Sequence, residues 1–202
     1  MYYNFAAKRG DMIDKIGDVS FFKKPIMNKE PQRTVNLLLV YLVIRSDYYK
    51  AVIELLRAII DKKEQNMFKG KYLDYITPSG IFTYDNDASL VKHSNILCVD
   101  LDDLTDVEQI KQSLINDENF ETLLAFRSPS GYGLKWFIAI DLNICDHKSW
   151  YAAVRNYLMT TYGLSDHQVD KSCSNVSRAC YMSYDPEAYI NKEIIKIYNS
   201  SK

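Results

Sequence analysis

Two aspartates, Asp100 and Asp102, close the apolar segment NILCVDLDD at residues 95–103. Residues i and i+2 of a strand lie on the same face, so both carboxylates point the same way. Carboxylates are ligands that Mg²⁺ and Mn²⁺ prefer, together with phosphate oxygens and water. The spacing therefore indicates a divalent-cation site at the end of a strand. The structural alternative is that these side chains only cap the helix that follows.

A second segment, SPSGYGLK, offers groups that suit a phosphate. Its small residues allow the backbone to approach an anion, its hydroxyls can donate hydrogen bonds, and its lysine supplies a positive charge. The candidate nucleotide-binding residues are Ser128, Ser130, Gly131, Gly133 and Lys135. A metal site facing a phosphate cradle is typical of nucleotidyl transfer. An ordinary hairpin turn is the alternative for SPSGYG.

The elements of the second half explain how these segments could meet. NILCVDLDD reads as a strand, TDVEQIKQSL as a helix with Thr105 and Glu108 forming a capping box, and TLLAFR with LKWFIAI as a hairpin. HKSWYAAVRNYLMTTYG then reads as a helix and SRACYMSYD as a last strand. The order βαββαβ predicts an α+β fold with a four-stranded, ferredoxin-like or RRM-like sheet.

That topology predicts which segments converge. The first strand should run antiparallel to the third and fourth and lie between them, so its carboxyl end meets the start of the third strand at Lys135. The approach to the fourth strand, residues 170–178, should arrive at the same end. Asp170 is therefore a candidate third carboxylate beside Asp100 and Asp102. Because three carboxylates would crowd together without metal, we expect Asp100→Asn to leave the free energy of unfolding nearly unchanged or to raise it.

The first half predicts an α-rich unit with a few short strands. TVNLLLVYLVIRSD and DYYKAVIELLRAIIDKKEQ have helical spacing, and in the second segment Val52, Leu55, Leu56 and Ile59 form one stripe. YITPSGIFTY predicts a turn entering a strand. We therefore divide the chain into residues 1–94, the α-rich unit, and residues 95–202, the catalytic unit, together one domain.

Composition narrows the class of protein. With 202 residues, 47% of them hydrophobic and 25% charged, the chain can bury a core, and its net charge of -1 argues against a surface that is basic all over. The longest apolar run is half a membrane span, so we expect a cytoplasmic protein without membrane contact. Four cysteines without a CxxC pair predict reduced thiols. A zinc site from His167, Cys173 and Cys180 is disfavoured because structural zinc ligands come in tighter pairs.

The combination of VDLDD, RSPSGYGLKWFI and VDKSCSNVSRACYMSYDP resembles the archaeo-eukaryotic primase superfamily. The chain is most similar to the branch found as the amino-terminal domain of virulence-associated protein E and related replication proteins of bacterial mobile elements. The segment from SDYYKAVIELLRAII to YLDYITPSGIF is also similar to that branch. The resemblance extends over residues 19–191.

The resemblance implies a primase-polymerase whose metal ligands are Asp100, Asp102 and Asp170, with Asp166 as the weaker candidate for the third position. It implies Mg²⁺ or Mn²⁺ as cofactor, a DNA template and nucleoside triphosphates as partners, and Arg178 facing the nucleotide. Many members have a histidine where this chain has Lys135. A helicase or ATPase domain, in this protein or another, would complete the system, since the chain has no GxxxxGK[ST].

Two other functions are considered. A nucleotide- or nucleic-acid-binding module that has lost catalysis would account for lysine at position 135. A relaxase-type endonuclease is disfavoured because its metal site needs paired histidines, whereas His93, His147 and His167 are scattered in the sequence.

Overall fold

The computed structural model describes residues 12–200, which form a mixed α+β structure with several antiparallel sheets. The first part of the chain contains β1 (Val19–Phe22), β2 (Arg33–Val35), α1 (Leu37–Arg45), α2 (Lys50–Arg57), α3 (Lys62–Tyr72), β3 (Tyr75–Thr77), β4 (Gly80–Phe82) and β5 (Leu90–His93). The second part contains β6 (Ile96–Leu101), α4 (Val107–Ile115), β7 (Thr122–Arg127), β8 (Leu134–Ala139), α5 (His147–Thr161), β9 (Cys180–Tyr181), β10 (Tyr189–Ile190) and α6 (Lys192–Ser200). In this range no helix has the length and apolar character needed to cross a membrane.

The sheet that carries the candidate site has the order β10-β7-β8-β6. β6 and β8 are antiparallel, and their register places Asp100 opposite Lys135 and Leu101 opposite Leu134. The predicted meeting of the end of the first strand with the start of the third is therefore confirmed.

Both faces of this sheet are covered, because apolar side chains project alternately from its two sides. Leu97, Val99 and Leu101 pack with residues of α4 and α5, including Trp150, in one buried cluster. Ile96 on the other face belongs to a second cluster, which includes residues of α1 and α2. The period-2 assignment of the two faces of β6 is confirmed.

The prediction for the fourth strand is wrong. Only Cys180–Tyr181 of SRACYMSYD is extended, and this β9 pairs with β3 in a separate sheet of order β2-β1-β3-β9. β10 joins the far edge of the site sheet, beside β7. Residues 168–170 instead lie along the outer edge of β6. There the amide of Asp102 donates to the carbonyl of Gln168 at 2.9 Å. This edge is thus already covered when the chain reaches Cys180.

Consequently β6 is not in the middle of a four-strand ladder. On its outer side, β6 pairs through a single isolated β-bridge between Leu101 and Val169. The division of the chain at residue 94 stays a prediction, although β9 from the second part completes the sheet of the first.

Three predictions on helices are also corrected. The N-cap of α4 is Asp106, which accepts the amide of Gln109 at 2.9 Å, because its carboxylate lies one residue nearer the helix than the hydroxyl of Thr105. Glu108 is drawn instead to Lys111 and Arg127.

The apolar stripe of α2 differs from the one predicted. Ile53 and Leu56 are buried, whereas Leu55 is 63% exposed. Successive residues lie about 100° apart around a helix. Because the buried face is centred on Ile53 and Leu56, Leu55 points toward solvent. The continuous helix expected over DYYKAVIELLRAIIDKKEQ is in fact two, α2 and α3, with Asp61 capping the second.

Candidate active site at the end of β6

Asp100 and Lys135 form an ion pair across the register of β6 and β8. Their side chains are only 15% and 10% exposed, respectively. One oxygen of Asp100, Oδ2, accepts from the lysine ammonium. The other, Oδ1, is buried and has no hydrogen-bond partner among residues 12–200. A buried carboxylate oxygen without a partner is costly, so this atom is a candidate acceptor for a bound cation or water.

Burial lowers the pKa of Lys135, but the Asp100 carboxylate, helped by Cys180 and Cys98, more than offsets this and raises the pKa above its ordinary value. Lys135 is therefore a charged ammonium in the folded protein. Its ammonium group is ion-paired with the Asp100 carboxylate.

Asp102 lies at the same end of the sheet and is half-buried. Burial and the neighbouring Asp100 carboxylate raise its pKa above the ordinary range, with Asp170 adding to the effect. The three acidic residues predicted to meet thus interact electrostatically. The charged form of Asp102 is therefore less favourable here than in water, and a cation bound nearby would stabilise it.

Asp170 reaches the site through the segment that runs beside β6. Its amide donates to the carbonyl of Asp100 at 3.4 Å. Its side chain accepts from Nη2 of Arg178 at 2.9 Å and from Sγ of Cys173 at 3.4 Å. Arg178, predicted to face the nucleotide, therefore contacts the third carboxylate, whereas Asp166 forms an exposed ion pair with Arg155.

The donors present fit a hard divalent cation only in part. Within residues 12–200, no three or more His, Cys, Asp or Glu side chains are already arranged to hold a metal ion. Asp100 is ion-paired with Lys135, and Asp170 is ion-paired with Arg178. However, the unpartnered Oδ1 of Asp100 and the acidic oxygens of Asp102 are the donor type that Mg²⁺ or Mn²⁺ takes. Asp100 and Asp102 are therefore the residues that could hold such an ion, with Asp170 beside them.

The SPSGYG segment is a compact turn between β7 and β8. The amide of Ser128 donates to the carbonyl of Gly133 at 2.8 Å, and the amide of Gly131 donates to the carbonyl of Ser128 at 2.9 Å. The hydroxyls of Ser128 and Ser130 lie 3.2 Å apart. Two of the amides expected to cradle a phosphate are thus used within the turn itself.

Gly133 brings this turn against the end of β6. A Cβ atom at Gly133 would overlap the carbonyl oxygen of Leu101 and lie 3.3 Å from Oδ1 of Asp102. Only glycine permits this approach without a shift of the backbone. Gly131 has a φ of 91°, which also favours glycine.

Arg57, the last residue of α2, was not predicted as part of the site. Its guanidinium donates to the carbonyls of Pro129 at 3.2 Å, Ser128 at 3.3 Å and Tyr184 at 3.1 Å. It fixes the turn from the amino-terminal part of the chain. In the sequence, Arg57 is distinguished by its position outside the apolar stripe of α2. Residues that face solvent have the same property, so it does not indicate a site residue.

A groove of about 270 Å³ lies beside the carboxylates. It is lined by residues of α3, the end of β6 and the SPSGYG turn: Lys62, Gln65, Asn66, Lys69, Asp102, Asp103, Ser130, Tyr132 and His167. Lys62 is paired with Asp103 at 2.8 Å. The sequence did not predict that α3 forms a wall of the site, because nothing in its spacing indicates what its polar face contacts.

Residues 67–190 match the family model of the BT4734-like, N-terminal domain. This stretch is more than half of the 202-residue chain. The chain belongs to the BT4734-like N-terminal domain family. No curated protein and no solved structure matches it. In this BT4734-like domain, the matched stretch contains every predicted site residue as well as Lys69, whereas Arg57 precedes it.

Proposed function

We propose that this domain catalyses metal-dependent, template-directed nucleotidyl transfer of the DNA primase or polymerase type. The observation that carries the proposal is the buried, unpartnered Oδ1 of Asp100, which lies at a strand end where Asp102 and Asp170 also interact. A carboxylate arrangement of this kind is stabilised by a divalent cation.

In this proposal Asp100, Asp102 and Asp170 hold Mg²⁺ or Mn²⁺. The bound ion would activate the attacking 3′-hydroxyl and stabilise the leaving pyrophosphate. Lys135 keeps Asp100 oriented across the β6–β8 register and adds positive charge near the phosphates. Arg178 does the same for Asp170.

The turn would contribute to triphosphate binding through the hydroxyls of Ser128 and Ser130 and through the close approach that Gly131 and Gly133 allow. Ser130 has the stronger support, since it lines the groove. Arg57 is a positioning residue, because it acts on the turn through backbone carbonyls.

The wider assignment follows from the resemblance to the archaeo-eukaryotic primase superfamily. We propose a two-unit primase-polymerase arrangement, with the α-rich unit packed on the unit that carries the β10-β7-β8-β6 sheet, in a cytoplasmic replication protein of a mobile element or phage. A DNA template, nucleoside triphosphates and a helicase or ATPase domain are the proposed partners. The sandwiching of the site sheet between helices of both parts of the chain supports this arrangement.

The test is incorporation of labelled nucleotides on a single-stranded DNA template, with and without primer, in Mg²⁺ or Mn²⁺. Wild-type protein should incorporate nucleotide only with metal, and the double variant Asp100→Ala, Asp102→Ala should be inactive. Asp166→Asn is the matched control, because Asp166 is an exposed acid on the segment that leads to Asp170. No incorporation by folded wild-type protein under any of these conditions would contradict the proposal.

A second function, a binding module without catalysis, is favoured by one observation. The ion pair between Lys135 and Asp100 neutralises the charge that a metal would otherwise meet. Such a module would bind nucleotide or DNA equally well with chelator or Mn²⁺, whereas the polymerase would need the metal.

A further inference from the structure

We propose that Lys69 of α3 binds the phosphates of the incoming nucleoside triphosphate, from the wall of the groove opposite the SPSGYG turn. This inference deepens the function proposed above and rests on it for the identity of the ligand. It assigns to the amino-terminal part of the chain a direct role in binding.

The position of Lys69 follows from helix geometry. Lys62, Asn66 and Lys69 are four and three residues apart, so they lie on one face of α3. That face lines the groove, and Asp102, Ser130 and Tyr132 line it from the other elements.

Lys69 is half-buried, and it forms no side-chain hydrogen bond or ion pair with any residue in the range 12–200 that the structure describes. Its neighbour Lys62, in contrast, holds Asp103 at 2.8 Å. A partly buried ammonium without a partner lacks much of its hydration, so an anion in the groove would stabilise it.

Lys69 and Lys135 differ in what they contact. Lys135 is bound to Asp100. Lys69 is close enough to Lys135, Asp100 and Asp102 to interact with all three charges. Burial and the Lys135 ammonium lower the pKa of Lys69. The negative charge of an incoming phosphate would offset both effects, and Lys69 can move to meet it without breaking an ion pair.

The chemistry of the groove selects a metal-bound polyphosphate over a single free phosphate. Asn66 and Ser130 add neutral donors beside Lys69, but Asp102 and Asp103 also line the groove and would repel an isolated anion. A divalent cation on the carboxylates removes that repulsion and bridges to phosphate oxygens. Binding should therefore require Mg²⁺ or Mn²⁺.

Isothermal titration calorimetry of the full chain with inorganic triphosphate in excess Mg²⁺ tests the inference. This ligand has no base or sugar, so its binding reports on the phosphate contacts alone. Lys69→Met, which keeps the length of the side chain, should weaken binding about 10- to 100-fold, as expected for loss of a charge-assisted contact. Lys69→Arg should restore most of the affinity. Lys71→Met is the matched control, because the Lys71 ammonium lies 5.0 Å from the ring centre of Tyr72 and does not line the groove.

A second measurement avoids any dependence on the variants. In wild-type protein, Mg²⁺ with inorganic triphosphate should protect the Lys69 amine from acylation, as read by peptide mass spectrometry, and leave Lys71 reactive. Unchanged affinity in Lys69→Met, absence of protection, or absence of triphosphate binding by wild-type protein would each overturn the inference.

The outcomes for the two proposals are separate. Incorporation by wild-type protein together with normal triphosphate binding by Lys69→Met would retain the polymerase and remove Lys69. Lys69-dependent triphosphate binding without incorporation would retain the binding role and remove the polymerase.

Discussion

At the scale of single residues, the two aspartates of the DxD segment have different environments although only one residue separates them. Asp100 is paired with a buried ammonium, while the pKa of Asp102 is raised by burial and by Asp100 itself. The expectation from sequence, that removing the charge of Asp100 relieves repulsion, applies to Asp102 instead.

We therefore predict that Asp100→Asn lowers the free energy of unfolding in the absence of metal by about 3 kcal/mol, because it leaves Lys135 charged, buried and without its carboxylate. Asp102→Asn should leave stability unchanged or raise it, since a charge that is disfavoured in the folded state is removed. Chemical denaturation in chelator measures both. Equal effects of the two variants would contradict the different environments described for them.

The residues that sequence could predict are those tied to strand register. Asp100 and Lys135 follow from the βαββαβ order, which makes the first strand antiparallel to the third, and from a period of two. Lys69 and Arg57 could not be predicted, because a polar position on a helix carries no information about the element it faces until the tertiary packing is known.

At the scale of elements, the SPSGYG turn is held against β6 by the absence of a side chain at Gly133. Gly133→Ala should destabilise the protein by about 2 kcal/mol or more, because the new methyl group overlaps the backbone of Leu101. It should also reduce metal binding, since Oδ1 of Asp102 lies within 3.3 Å of that methyl group.

Gly163→Ala is the control for this prediction. Gly163 has a φ of 65° but open space where a Cβ would lie. Its substitution should cost about 1 kcal/mol from backbone strain and leave metal binding intact. Thermal unfolding and a Mn²⁺ titration compare the two variants, and equal effects on metal binding would remove the special role of Gly133.

The long elements of the second half could be predicted from sequence because each has its own periodicity and turn signals. β7 spans the whole of TLLAFR, and α5 occupies most of its predicted segment. β9 and β10 are two residues each and exist only through pairing with β3 and β7. A two-residue segment has no period to read, so its partner could not be inferred.

At the scale of the whole molecule, a histidine pair links the two parts of the chain. His93, at the end of β5, and His147, at the start of α5, lie with Nε2 and Nδ1 3.1 Å apart. Nδ1 of His93 accepts the amide of Asn95, so its Nε2 carries the proton and donates to His147. The two histidines, which are scattered in the sequence, thus meet through a hydrogen bond. Among residues 12–200, they belong to no group of three or more His, Cys, Asp or Glu side chains that could hold a metal ion.

Burial lowers the pKa of both His93 and His147 to about 4, and the closeness of His93 adds to the effect on His147 despite Asp87 and Asp146 nearby. Unfolded histidine titrates near pH 6.5, so the unfolded state binds more protons between these values. The free energy of unfolding should therefore be highest above about pH 6.5 and fall as the pH drops toward 4.

Urea unfolding at a series of pH values measures this loss. His93→Gln should flatten the dependence between pH 6.5 and 4, whereas His167→Gln, which removes an exposed imidazole, should leave it in place. A slope that is the same in His93→Gln as in wild-type protein would show that the pair does not control acid stability.

The central claim, that the end of β6 is a divalent-cation site, is tested most directly by Mn²⁺ binding followed by electron paramagnetic resonance. Wild-type protein and Asp166→Asn should bind Mn²⁺ with the same affinity, and inorganic triphosphate should tighten that binding. The double variant Asp100→Asn, Asp102→Asn should lose it. Mn²⁺ affinity in the folded double variant equal to that of wild-type protein would contradict the account.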